Sequence, residues 1–67
     1  MLNIKTALEK KGITKKMYAE FLGISEKSAY NKIKGITAFT MPEANKTKHV
    51  LFPEYDIEYL FSTEPNT

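Results

Sequence analysis

The sequence predicts an all-α domain of five short helices, on three observations. Five capping residues each sit between two apolar residues at helix-entry spacing, three glycines each stand where a helix would stop, and no stretch alternates apolar with polar as a strand would. The caps are Asn3, Thr14, Ser25, Thr40 and Asp56. Each is flanked by a pair spaced to staple the first helical turn: Leu2 with Ala7, Ile13 with Tyr18, Ile24 with Ala29, Phe39 with Ala44, and Tyr55 with Leu60.

The first helix starts at Asn3 and stops at Gly12, and the second starts at Thr14 and stops at Gly23. Only Gly23 and Ile24 separate Leu22 from the cap at Ser25, so the second and third helices must cross sharply; Ala19 supplies the small side chain a close crossing needs. The third helix is expected over about 26–34 and stops at Gly35. The fourth has the best-defined start, because Glu43 completes a capping box with Thr40 and Pro42 sits in the first turn, where its missing N–H costs nothing. The Phe52-Pro53 step ends it, since a residue before proline is pushed out of helical angles. The fifth begins at Asp56. The helical domain is thus expected over 1–61, with a flexible polar tail over 62–67.

Sixty-seven residues are close to the lower limit for a core that holds without staples, and they leave no room for a large enclosed pocket. With no cysteine there is neither a disulfide framework nor a thiolate metal site, and the start does not read as a secretion signal, so a cytoplasmic protein is expected. The apolar runs are too short for a membrane span. One histidine, no glycine-rich phosphate loop and no carboxylate pair with a reason to converge argue against catalysis; no metal, cofactor or small-molecule substrate is expected. His49, late on the fourth helix, reads as a surface residue.

The net charge of +2 conceals an asymmetry. Residues 1–40 carry eight lysines against three glutamates, a net of +5, whereas residues 41–67 carry two lysines against five carboxylates, a net of −3. A basic half facing a polyanion accounts for this, as does a lysine-rich solvated surface. The third helix discriminates better. With Ala29 and Ile33 facing inward, Glu26, Lys27, Tyr30, Asn31 and Lys34 form one stripe on the opposite side. Asparagine can pair with adenine through two hydrogen bonds, lysine can donate to guanine, and tyrosine can pack on a thymine methyl or reach a phosphate; Ser28 can add a short contact. An ordinary solvated helix face is the alternative.

Gly12-Ile13-Thr14, Ala19-Glu20-Phe21-Leu22-Gly23-Ile24-Ser25, Asn31-Lys32-Ile33-Lys34-Gly35, Phe39-Thr40-Met41-Pro42-Glu43 and a closing Asp56-Ile57-Glu58-Tyr59-Leu60-Phe61 form a set. Together these segments resemble the Cro and phage-repressor helix-turn-helix proteins, in the form common in phages of Gram-positive bacteria. The resemblance covers nearly the whole chain and implies a lambda-repressor-like helix-turn-helix DNA-binding domain. It further implies base contacts at Glu26, Lys27, Ser28 and Asn31, to which the stripe adds Tyr30, and phosphate contacts at Thr14, Lys15 and Lys16. Lys34 and Thr37, at the exit of the third helix, are further phosphate candidates. The chain departs from the family at Lys15, Tyr18 and Ala29, where glutamine, leucine and a branched apolar residue are usual. Asn45 and Thr47 also replace apolar residues on the fourth helix, so its inner face should rest on Met41, Ala44 and Leu51, over a thin core.

Five of the eight aromatics stand at or after Phe39. Either they fill the small core or some form an exposed apolar patch; on the second reading Tyr59 and Phe61 are the candidates for a two-fold interface. A homodimer would place two recognition helices about one DNA turn apart on a palindromic operator in double-stranded DNA. With the chain ending soon after the fifth helix, the expected function is a Cro-like repressor, an excised N-terminal piece of a longer regulator being the alternative. The competing reading is a protein-binding module, such as an anti-repressor or regulator partner, built on the same fold.

Overall fold

The computed structural model describes residues 2–63, and among them it contains five helices and no strand. They are α1 (Ile4–Lys10), α2 (Lys15–Leu22), α3 (Glu26–Lys34), α4 (Met41–Lys46) and α5 (Ile57–Leu60), with a π-helical turn over Thr47–Leu51 continuing α4. No helix is long and apolar enough to cross a membrane.

Three of the expected caps form as drawn. Thr14, Ser25 and Thr40 are extended, and their side-chain oxygens accept from the amides of Met17, Ser28 and Glu43, the donors that an α-helix leaves unpaired in its first turn. Thr40 and Glu43 complete the reciprocal box, Glu43 Oε1 accepting from the Thr40 amide at 2.9 Å. Asn3 does something else. It lies in helical geometry, and its Nδ2 donates to the Tyr59 carbonyl at 2.9 Å while its amide donates to the Ser62 carbonyl, so it ties α1 to the end of α5. Asp56 holds the extended cap geometry without a side-chain hydrogen bond. Ser62, the first residue of the expected tail, is thereby bonded into the fold, and residues 64–67 of that tail lie outside the described residues.

The exits are equally regular. At the end of α2, Gly23 takes a left-handed φ of 75°, its amide donates to Glu20 O and the Ile24 amide to Ala19 O, which closes the helix and reverses the chain within two residues. A side chain at Gly23 would meet nothing within 4 Å, so the backbone angle alone favours glycine there. Gly12 and Gly35 repeat the pattern, with Ile13 and Ile36 in the place of Ile24. Ile13 and Ile24 are half-buried, whereas Ile36 is 65 % exposed.

The core gathers Ile4, Ala7 and Leu8 of α1, Tyr18 of α2, Ile33 of α3, Phe52 and Leu60. Around it the aromatic rings pack on one another in two runs. Tyr18 lies against Phe21 and Phe39, and Phe39 meets the edge of Phe61 at 4.7 Å; Phe52 meets Tyr55, and Tyr55 stacks on Tyr59 at 5.5 Å. Only Phe52 and Tyr18 are wholly enclosed; Tyr59 and Phe61 are half-buried.

The inner face of α4 differs from the expected one. Met41 is 68 % exposed, and Thr47 takes a core position at 0 % exposure beside Ala44. The Thr47 hydroxyl donates to the Glu43 carbonyl at 2.8 Å, so its single proton is committed and the Tyr18 hydroxyl, 2.7 Å away, is the donor to Thr47 Oγ1. Burial pushes the Tyr18 hydroxyl far above the ordinary phenol range, and the Glu43 charge adds to the rise. The hydroxyls at 18 and 47 thus answer one another across the core. A threonine bonding back to the carbonyl four residues earlier competes with the helical ladder, and the chain widens at this point into the π-turn, which the Phe52 amide closes onto Thr47 O.

Lys32 fastens the loop between α3 and α4: its Nζ donates to Ala38 O at 2.9 Å and pairs with Glu43 at 3.0 Å. Burial raises the Glu43 pKa, but the Thr40 amide, the Lys32 hydrogen bond and charge, and the Thr40 hydroxyl together lower it below the ordinary carboxylate value. A carboxyl held low in the folded state stabilises the fold above its unfolded pKa of about 4.3, and that contribution fades as pH falls through the folded value. Glu43→Gln should therefore be less stable than the parent chain in urea melts at neutral pH, with the gap closing in acid. Thr40→Ala should cost about 1 kcal/mol at neutral pH.

Candidate nucleic-acid interface

The α2–α3 pair presents the residues that the sequence singles out. Ala29 and Ile33 of α3 are buried, and the opposite side of the helix faces outward: Glu26, Lys27, Tyr30 and Lys34 are exposed, and Asn31 and Ser28 are half-exposed. Asn31 lies one turn from both Lys27 and Lys34, so two ammonium groups flank its amide on the same helix. Its backbone carbonyl accepts from the Ile36 and Thr37 amides and closes α3. Ser28 is engaged in the cap, its Oγ accepting from Ser25 Oγ at 3.0 Å.

At the start of α2, Thr14, Lys15, Lys16 and Met17 are exposed. The Thr14 hydroxyl serves the Met17 amide, leaving the Lys15 and Lys16 amides as first-turn donors that the helix cannot satisfy itself. Lys15 reaches across to α3, where its Nζ stands 5.1 Å from the centre of the Tyr30 ring; Lys34 Nζ stands 5.2 Å from the same centre. Thr14, Lys15 and Tyr30 also border a surface groove of about 500 Å³, floored by Leu8, Ile13 and Ile33. Thr37 is exposed but lies elsewhere, along a second groove bordered by Leu2, Phe39, Met41, Ile57 and Phe61.

The ten lysines divide into two sets. Lys5 pairs with Glu9 at 2.8 Å, and Lys11 with Glu54 at 3.0 Å; Lys32 pairs with Glu43, while Lys46 and Lys48 donate to the carbonyls of Phe21 and Pro53. Lys10, Lys15, Lys16, Lys27 and Lys34 have no carboxylate within 4.0 Å among the described residues. Four of these five are the lysines chosen from the sequence as DNA contacts. Lys10, at the end of α1, is the addition, and sequence alone offers no signal that separates it from its neighbour Lys11. A surface that keeps its cations clear of internal carboxylates carries an unneutralised positive field suited to a polyanion.

No family model, curated protein or solved structure compared with the chain matches it.

Proposed function

We propose that the chain is a sequence-specific DNA-binding regulator of transcription of the helix-turn-helix kind, similar to Cro and the phage repressors. In this reading α3 enters the major groove with Lys27 and Asn31 reading base edges, Glu26 and Ser28 beside them, and Lys15, Lys16 and Lys34 meeting phosphates. The observation that carries it is the outward face of α3, polar and cationic along its length, standing beside the unpaired lysines at the start of α2. A protein-docking face would be expected to carry apolar anchors there. Of the exposed aliphatic residues, Met17 lies at the start of α2 and Ile36, Met41 and Val50 lie beyond α3; none is on α3 itself.

The molecule acts as a homodimer on a palindromic operator. Support comes from the groove bordered by Phe39, Met41, Ile57 and Phe61, where an exposed methionine stands over half-buried rings. A second copy covering that groove would withdraw Met41 and Phe61 from water. Tyr59 stacks on Tyr55 in the other aromatic run and does not border this groove, so the proposed interface rests on Phe61.

Selection from random duplexes at several salt concentrations tests the proposal. Enrichment of a two-fold-symmetric consensus is expected, with affinity falling steeply as salt rises, because each phosphate contact contributes about 0.9 to the logarithmic slope. Enrichment of no consensus at any salt concentration would sink the reading.

A further inference from the structure

Of the eight aromatic residues, Tyr30 alone is exposed; the other rings are buried or half-buried around the core. At 39 % exposure it is the most accessible of the eight, on a helix that already buries Ala29 and Ile33. Its neighbours are two cations from two helices, Lys15 of α2 and Lys34 of α3, both close to 5 Å from its centre. This is the range in which an ammonium group is drawn to the negative face of an aromatic ring.

Their shared ring keeps the two ammonium nitrogens within about 10 Å of each other, which is about one screening length at 0.1 M salt. Among the described residues neither has a carboxylate within 4.0 Å, and the nearby Glu9 is engaged by Lys5 at 2.8 Å. At up to that separation their mutual repulsion in water is weak, and an oxyanion between them meets both charges. The ring therefore restrains two long, flexible side chains that would otherwise spread apart, and it does so where an anion gains most from meeting both.

We propose that Tyr30 is a positioning residue rather than a base reader. Its ring gathers Lys15 and Lys34 into a single oxyanion site for the phosphodiester backbone, so that α2 and α3 hold the same strand. This rests on the DNA-binding reading and revises the part Tyr30 plays in it.

The test measures affinity against salt for the parent chain, Tyr30→Phe, Tyr30→Leu and the double variant Lys15→Gln/Lys34→Gln, on the selected duplex and on unrelated ones. Tyr30→Phe keeps the ring and should behave as the parent does. Tyr30→Leu should weaken every duplex by a similar factor and reduce the salt slope by about one to two units, at roughly 0.9 per phosphate contact. Added to the double lysine variant, it should change nothing further. A changed preference at one base position with the slope intact would make Tyr30 a base reader and overturn the proposal, as would simple additivity with the lysine changes. Inorganic pyrophosphate provides an arm that needs no DNA. Titrated into the parent chain, it should shift the Tyr30 ring proton resonances, and it should leave those of the double lysine variant in place. A chain that binds no duplex yet shows this shift would lose the DNA reading and keep the oxyanion site. One that selects duplexes without showing the shift would lose the site and keep the reading.

Discussion

Tyr18→Ala is expected to lower stability by about 3–5 kcal/mol, the usual cost of emptying an aromatic site in a core. Domains of this length have a total stability of roughly 3–10 kcal/mol, so a large unfolded fraction should be visible by circular dichroism in dilute urea. The cost is high because Tyr18 is wholly enclosed, lies against Phe21 and Phe39, and reaches the Thr47 hydroxyl across the core. The polar part of that contact separates from the packing by a cycle. Tyr18→Phe leaves Thr47 its bond to the Glu43 carbonyl and should cost about 1 kcal/mol, whereas Thr47→Val strands a buried phenol hydroxyl and should cost about 1–3 kcal/mol. The double change to phenylalanine and valine removes both groups together and should be milder than the sum of the two. Additive losses would mean that the two hydroxyls do not act as a pair.

Asn31→Ala should weaken binding to the selected operator by roughly 5- to 150-fold, equivalent to about 1–3 kcal/mol, and should relax preference at one base position. Two features of the structure make this a clean measurement. The Asn31 main chain, not its amide, closes α3 onto Ile36 and Thr37, so alanine leaves the helix exit in place and the melting temperature should hold. The flanking lysines remain, so binding to unrelated duplexes should persist. Lys16→Gln is the contrasting case: it should weaken all sequences alike and flatten the salt dependence, without altering the consensus. Competition titrations with the selected and a scrambled duplex report both quantities. Unchanged affinity and unchanged preference in Asn31→Ala would remove Asn31 from the reading surface.

Local features were legible from the sequence, because they depend on residues a few positions apart. Thr14, Ser25 and Thr40 cap their helices through amides three residues on, and the glycine exits depend on one backbone angle each. The outward stripe of α3 followed from periodicity in the same way. What depends on partners far along the chain was not legible. Asn3 has a capping residue's chemistry, yet its amide group is taken by Tyr59, fifty-six positions away. Thr47 read as a polar intrusion that would thin the core, because the hydroxyl answering it belongs to Tyr18, twenty-nine positions earlier. Met41, expected on the inner face, is 68 % exposed at the start of α4, whereas Thr47 takes a buried place at the point where the helix widens. The site divides similarly: each lysine could be proposed singly, but the meeting of Lys15 and Lys34 on one ring required the α2–α3 crossing.

The two sets of lysines also bear on how the molecule tolerates arginine. Lys11, Lys32, Lys46 and Lys48 each deliver a compact head group to a single main-chain oxygen, a fit that a broad planar guanidinium does not reproduce. At Lys10, Lys16 and Lys27 the longer cation keeps its charge and, among the described residues, has no such oxygen to lose. Exchange at the first four positions strains the scaffold while leaving the electric field nearly unchanged; at the other three it alters how the field is presented and spares the scaffold. Basicity in this chain therefore divides between cations fastened to the scaffold and cations left at the surface, and the formal charge of +2 measures neither.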